Sequence, residues 1–275
     1  MVAKGSPLLL FLSCSVLVDA NKVQCSQDAD CKEHGASLSC VSQVCTIASP
    51  WACLGGVVWP AGTSAPITLT VPVVDVITSA FPKDLQVRAC SKLDVQCASP
   101  LSATVDLSSA PGLLKVTLAS GFDGYLELTS PTITPALFFV VKPIREDTTL
   151  STSLPVVPPA GFGGIAQAIG TTLDLTTMGH VYALAEDCGG TPASGVRFEI
   201  DKKSTQTAAY YMINNTPLST VPSTDASGAG GFLNIPNGFV RLTGYVSATG
   251  ARIGEAGFVV RVGAVSYPRL IPTPT

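Results

Sequence analysis

The sequence predicts an all-β protein assembled from antiparallel β-sandwiches. Three observations carry that prediction. Apolar and polar residues alternate with a period of two in several short segments, the mark of strands with one face buried. Those segments are punctuated by 25 glycines and 21 prolines spread over 275 residues, which favours turns and discourages long helices. Nine cysteines, eight of them beyond residue 20, offer cross-links to a chain rich in loops.

The strands follow in order. ITLTV (67–71) alternates Ile67, Leu69 and Val71 with threonines. LLKVTL (113–118) sets Leu114, Val116 and Leu118 opposite Lys115 and Thr117. In YLEL (125–128), Leu126 and Leu128 face away from Tyr125 and Glu127, and SGFDG (120–124) forms the turn before it. LFFVV (137–141) is a continuous apolar run, as expected of a strand buried on both faces. These strands make residues 51–145 a first sandwich module, in which Cys90 and Cys97 lie close enough to staple a bend.

Residues 146–178 read as a linker, polar and then proline-rich, with a short helix in GFGGIAQAIGTTLD (161–174) that presents Ile165, Ala168 and Ile169. A second module, 179–275, follows. GVRFEI points Val196, Phe198 and Ile200 inward and Arg197 and Glu199 outward; FVVRV does the same with Phe258, Val260 and Val262.

The N-terminus reads as an export signal over residues 1–20. Lys4 supplies a positive start and Leu8–Leu12 an apolar run. That run is far short of the ~20 residues that cross a bilayer. Two processing sites compete. Cys14 in FLSC resembles a bacterial lipobox, and the apolar run ends just before it at Ser13. The alternative is VDA before Asn21, where cleavage after Ala20 would release a secreted protein. Lipid on Cys14 is the preferred reading, with the membrane as a partner through the anchor. Ser15, rather than aspartate, would then be the second residue, which by resemblance to Gram-negative lipoproteins implies the outer membrane.

Residues 21–50 form a cysteine-rich collar. Cys25, Cys31, Cys40 and Cys45 fall within twenty-one residues, implying two disulfides and allowing three pairings. Zinc pairs of the CxxC kind are absent, and Asp28 and Asp30 are followed by Lys32 rather than by further calcium ligands. No metal or cofactor is expected. The spacing looks like short collars found behind the anchor of bacterial surface lipoproteins. Cys53 and Cys188 are left with open partners: each other, across the modules, or another cysteine.

The most informative stretch is TDASGAGGFLNIPNGFVRLTGYV (224–246). Thr224, Asp225 and Gly228, then Phe232, then Asn234, Pro236 and Gly238 resemble the signature of carboxypeptidase regulatory-like domains, the transthyretin-like and Cna-B-like sandwiches. The resemblance implies a prealbumin-like or Ig-like module in which these residues build turns and core. Ala229 and Gly230 lengthen the loop beyond the usual form. SATVDLSSAPGLLKVTLASGFDGYLEL (102–128) echoes the pattern, with Asp106 and Gly112 in comparable places. Nothing matches the zinc-binding catalytic domain of carboxypeptidases, so no peptidase activity is implied.

Composition narrows the function. Charged residues are 13% and the formal net charge is -3, with no basic cluster, so nucleic acid is not an expected partner. The two histidines, His34 and His180, stand in no nucleophile or metalloprotease motif. Asp187 and Asp225 are the one carboxylate pair to weigh for acid–base work, and both sit in turn-forming sequence. Tyr210, Tyr211 and Tyr245 are candidates for stacking on a ligand such as a sugar ring. Asn214-Asn215-Thr216 forms a glycosylation sequon. The expectation is a non-enzymatic, exported, lipid-anchored surface protein with a structural or adhesive role toward an unidentified protein or glycan; the alternative is a carbohydrate-binding protein of the cell envelope.

Overall fold

A computed structural model of the protein describes residues 23–34, 38–47, 49–59, 65–108, 112–150 and 153–274. The export signal and Cys14 lie outside them. The chain divides into two compact units, 1–49 and 50–275.

The first unit is the collar. A short helix α1 (Asp28–Lys32) precedes a hairpin of β1 (Leu38–Val41) and β2 (Val44–Ile47). Ser42 and Gln43 turn the hairpin with φ of 51° and 64°, both left-handed, as the two-residue turn matching strand twist requires. Of the three pairings the sequence allows, the chain adopts Cys25–Cys40 and Cys31–Cys45. Asp28 accepts the Cys40 N–H at 2.8 Å, and Asp30 accepts the backbone N–H groups of Ser26 and Gln27 at 2.7 and 3.1 Å. Both acids therefore brace the staple.

The second unit begins with β3 (Ile67–Asp75), β4 (Gln86–Ser91), β5 (Thr104–Asp106), β6 (Leu113–Leu118), β7 (Gly124–Thr129) and β8 (Ala136–Phe139). Next come β9 (Thr148–Thr149), β10 (Leu154–Val156) and the helix α2 (Pro159–Ala168). Then follow β11 (Met178–Ala185), β12 (Val196–Ile200), β13 (Ala208–Ile213), β14 (Thr216–Leu218) and β15 (Ala229–Pro236). The last are β16 (Gly238–Val246), β17 (Arg252–Val260), β18 (Val265–Tyr267) and β19 (Arg269–Leu270).

These strands form a nine-stranded sheet in the order β14-β13-β15-β11-β18-β8-β7-β4, with β19 beside β11. A five-stranded sheet, β10-β3-β6-β5 with β9 on β3, and a three-stranded sheet, β12-β16-β17, complete the unit. The large sheet is apolar on both faces. Leu126, Leu128 and Phe138 pack into one core with Ile67, Leu69 and Val71 of β3. Their sequence neighbours Tyr125, Leu137 and Phe139 pack into another with Phe198, Leu242 and Phe258. Tyr125 and Phe139 are 5.0 Å apart between ring centroids, and Phe139 meets Phe258 edge-on at 5.8 Å. Two sandwiches thus share one sheet.

Sharing that sheet changes several expectations. YLEL is not half-buried, because a layer covers each side; Tyr125 and Glu127 are as enclosed as Leu126 and Leu128. Segments 51–145 and 179–275 are not separate in the hydrogen-bonded framework, since β8 and β18 pair in parallel with Leu137 opposite Ser266. The antiparallel pattern is also broken where β9 and β10 run parallel to β3. Residues 146–178 are consequently not a free linker: Leu150, Leu154, Val156 and Val157 are buried in the first core. The helix starts at Pro159, a residue suited to a first turn, and buries Phe162 and Ala166, with Ala168 facing out. Val262 lies past the end of β17 and is 44% exposed; Val259 is buried instead.

Candidate functional site

The loop leading into β15 clasps the outer edge of β12, an edge strand. Val196 N–H donates to the Thr224 hydroxyl at 3.0 Å, that hydroxyl donates to the Ala193 carbonyl at 2.7 Å, and Thr224 N–H donates to the Val196 carbonyl at 3.0 Å. Phe198 N–H is taken by the Tyr211 hydroxyl at 2.9 Å. Side chains thus occupy backbone groups that a foreign strand would otherwise pair with. Replacing Thr224 by valine strands a buried donor and acceptor, so unfolding free energy should fall by about 2–3 kcal/mol. Thr224→Ser should recover most of that in urea titrations; equal losses in the two variants would contradict the clasp.

Asp225 accepts from Asn214 N–H at 2.7 Å, Ser227 N–H at 2.8 Å and the Ser227 hydroxyl at 2.6 Å. These bonds, the Ser227 hydroxyl first, hold its carboxyl below the usual range. Gly228 turns with φ of 65°, and a Cβ there would lie 2.4 Å from the Ala185 carbonyl oxygen. The first half repeats the device: Asp106 accepts Ser108 N–H at 2.8 Å and its hydroxyl at 3.0 Å, and Gly112 follows with φ of 82°.

Ala229 and Gly230 do not lengthen the loop; they open β15, opposite Leu184 and Ala183. Phe232 fills the second core. Asn234, buried with φ of 56°, accepts Asp174 N–H at 2.9 Å and donates to the Thr172 carbonyl at 2.7 Å, fastening the chain after α2 to the sheet. Its own N–H donates to Nδ1 of His180 at 3.3 Å. That histidine is fully buried against Phe162, and burial pushes its pKa down to about 4. It is neutral at pH 7. Pro236 ends β15, and Gly238 opens β16 with φ of 112°.

The tyrosines do not form a stacking platform. Tyr210 is buried with its hydroxyl donating to the Val181 carbonyl at 3.2 Å, and Tyr211 is buried against Phe198. Tyr245 is half-buried, with the Arg197 guanidinium 4.8 Å above its ring. Adjacent on β13, Tyr210 and Tyr211 point to opposite faces, and both are inside because a core covers each face. Asp187 accepts from Gly189 and Thr191 within its own loop, as Asp225 does in its own. Asn214 and Asn215 form the exposed tip of the β13–β14 hairpin, with φ of 50° and 62°.

Two features had no local signal. Glu127, on β7, is buried between Arg88 of β4, whose Nε is 2.6 Å away, and Arg261, which follows β17. Glu186 is buried and paired to Nε of Arg269 at 2.9 Å. The Glu186–Arg269 pair borders a cleft of about 770 Å³ between segment 53–59, residues 138–150 and the 186–190 loop. The Cys53–Cys188 disulfide spans two of its walls. Cys90 pairs with Cys97 as the spacing suggested, so the sulfurs near Glu127 are not free to bind a metal.

The chain matches no known protein family, and no curated protein matches it. Among solved structures it is similar to a streptococcal ancillary pilin, at 12% identity and a TM-score of 0.23, over 75% of this chain and 68% of that one. It is similar to the minor pilin of Streptococcus agalactiae at 14% identity and a TM-score of 0.22, covering 76% of this chain and 98% of the pilin. The Bacillus anthracis TIE protein is 11% identical over 76% of this chain, with a TM-score of 0.24; the match spans 34% of that protein. Likenesses this distant assign no function.

Proposed function

We propose that the protein works outside the cytoplasm as a non-enzymatic surface component, held to the outer membrane by lipid on Cys14 and offering its sandwich loops to a protein or glycan partner. The observation that carries this reading is the cysteine pattern. All eight cysteines of the described residues are joined in four disulfides. Such bonds persist in oxidising compartments and are rare where glutathione keeps thiols reduced. Cys14 stands apart from that set, at the end of the apolar leader. The polar residues singled out for chemistry support the same reading, because Asp187 and Asp225 are each engaged by their own turns.

The test is metabolic labelling with a fatty acid in the intact chain. Wild-type protein should incorporate label and fractionate with membranes. Cys14→Ser should lose both, while its eight other cysteines stay resistant to alkylation without reductant. Undiminished labelling of the variant would refute the anchor; eight alkylatable thiols in native protein would refute the compartment.

A further inference from the structure

A second, smaller cavity of about 230 Å³ lies where β10, β11, β15 and β18 meet. Its walls are mainly apolar, with Phe138, Leu150, Leu154 and Leu184 among them. Two tyrosines also line it, Tyr182 and Tyr267, their ring centroids 5.7 Å apart. Tyr267 is only 4% exposed. Neither hydroxyl makes a hydrogen bond to another described residue, whereas the neighbouring Tyr210 hydroxyl is bonded to the Val181 carbonyl. Both hydroxyls reach solvent, so a ligand group that bonds one of them takes the place of water there. Burial raises the pKa of both tyrosines, Tyr182 to about 12, so they present neutral hydroxyls.

The lining also excludes classes of ligand. Arg269, at the rim, is already paired with Glu186, and the Ser227 hydroxyl donates to Asp225. Among the described lining residues no unpaired cation awaits a carboxylate or phosphate. Size sets a further bound: an apolar cavity of about 150 Å³ accepts benzene, so this one suits a molecule of about nine or ten non-hydrogen atoms. The rings of Phe138, Tyr182 and Tyr267 favour an aromatic face.

We propose that this cavity binds a small uncharged aromatic molecule carrying one hydrogen-bonding group, of which an alkylphenol is the simplest example. The site is independent of the lipid anchor and would add a ligand to a protein otherwise read as structural.

The test uses para-ethylphenol, ethylbenzene and para-ethylbenzoate as probes, titrated into the full chain and followed by ligand-observed NMR. Para-ethylphenol should bind saturably and more tightly than either of the others. Tyr267→Phe should weaken para-ethylphenol about fivefold, the worth of one net hydrogen bond, and leave ethylbenzene unchanged. Ser153→Trp, on the exposed rim, should weaken both about tenfold or more by filling the mouth. Absence of saturable binding would overturn the proposal, as would preference for the benzoate or indifference to Tyr267→Phe. Should the tryptophan variant fail to fold, the selective effect of Tyr267→Phe decides the matter alone.

Discussion

Replacing Cys53 and Cys188 together by serine is expected to lower the unfolding free energy by about 5 kcal/mol, from the chain entropy released when so long a loop is opened. The two residues are 135 positions apart, against 7 for Cys90 and Cys97. The same relation assigns the short loop about 2 kcal/mol. Once sulfur is removed, the described backbone bonds at the long bridge are Cys188 N–H to the Pro50 carbonyl at 3.0 Å and Gly56 N–H to the Cys53 carbonyl at 2.9 Å, neither of which depends on the disulfide's chemistry. Urea titrations of the two double-serine variants, with matched slopes, check the ordering. Equal losses would show that strain or residual structure in the unfolded chain outweighs loop length.

Glu127→Ala is the second large effect, a loss of about 3–5 kcal/mol. The carboxylate is buried and joins Arg88 to Arg261, whose side chain is 12% exposed. Removing it leaves the Arg261 charge enclosed and uncompensated, which is why the loss exceeds the net worth of the pair. Pairing the change with Arg261→Leu should restore much of the stability, because the orphaned charge then goes too. Glu255→Ala provides the contrast. Its carboxylate is 38% exposed and meets Arg241 and Arg252 in solvent, so less than about 1 kcal/mol is expected. A similar cost at both sites would remove burial as the explanation.

Much of the local structure was legible in the residues. ITLTV, LLKVTL and GVRFEI bury the faces their alternation indicates, because in a strand successive side chains necessarily point to opposite sides. The left-handed glycines Gly112, Gly228 and Gly238 likewise mark turns, since other residues resist that conformation. The tyrosines were harder. Tyr210 and Tyr211 are adjacent, so alternation sends them to opposite faces; only the presence of a core on each face buries both.

What the amino-acid sequence determined by itself was the all-β class, the positions of several strands, and a cysteine number that pairs completely once Cys14 is set apart. Each of these follows from neighbours along the chain or from simple counting. The tertiary structure alone decided which cysteines meet, that β8 joins β18, that residues 146–178 pack into a core, and that Glu127 ends between two arginines. The farthest-reaching of those outcomes join segments more than a hundred residues apart, as Cys53 with Cys188 at 135 and Glu127 with Arg261 at 134. A strand's pattern records which of its faces are apolar, but not which distant partner covers them.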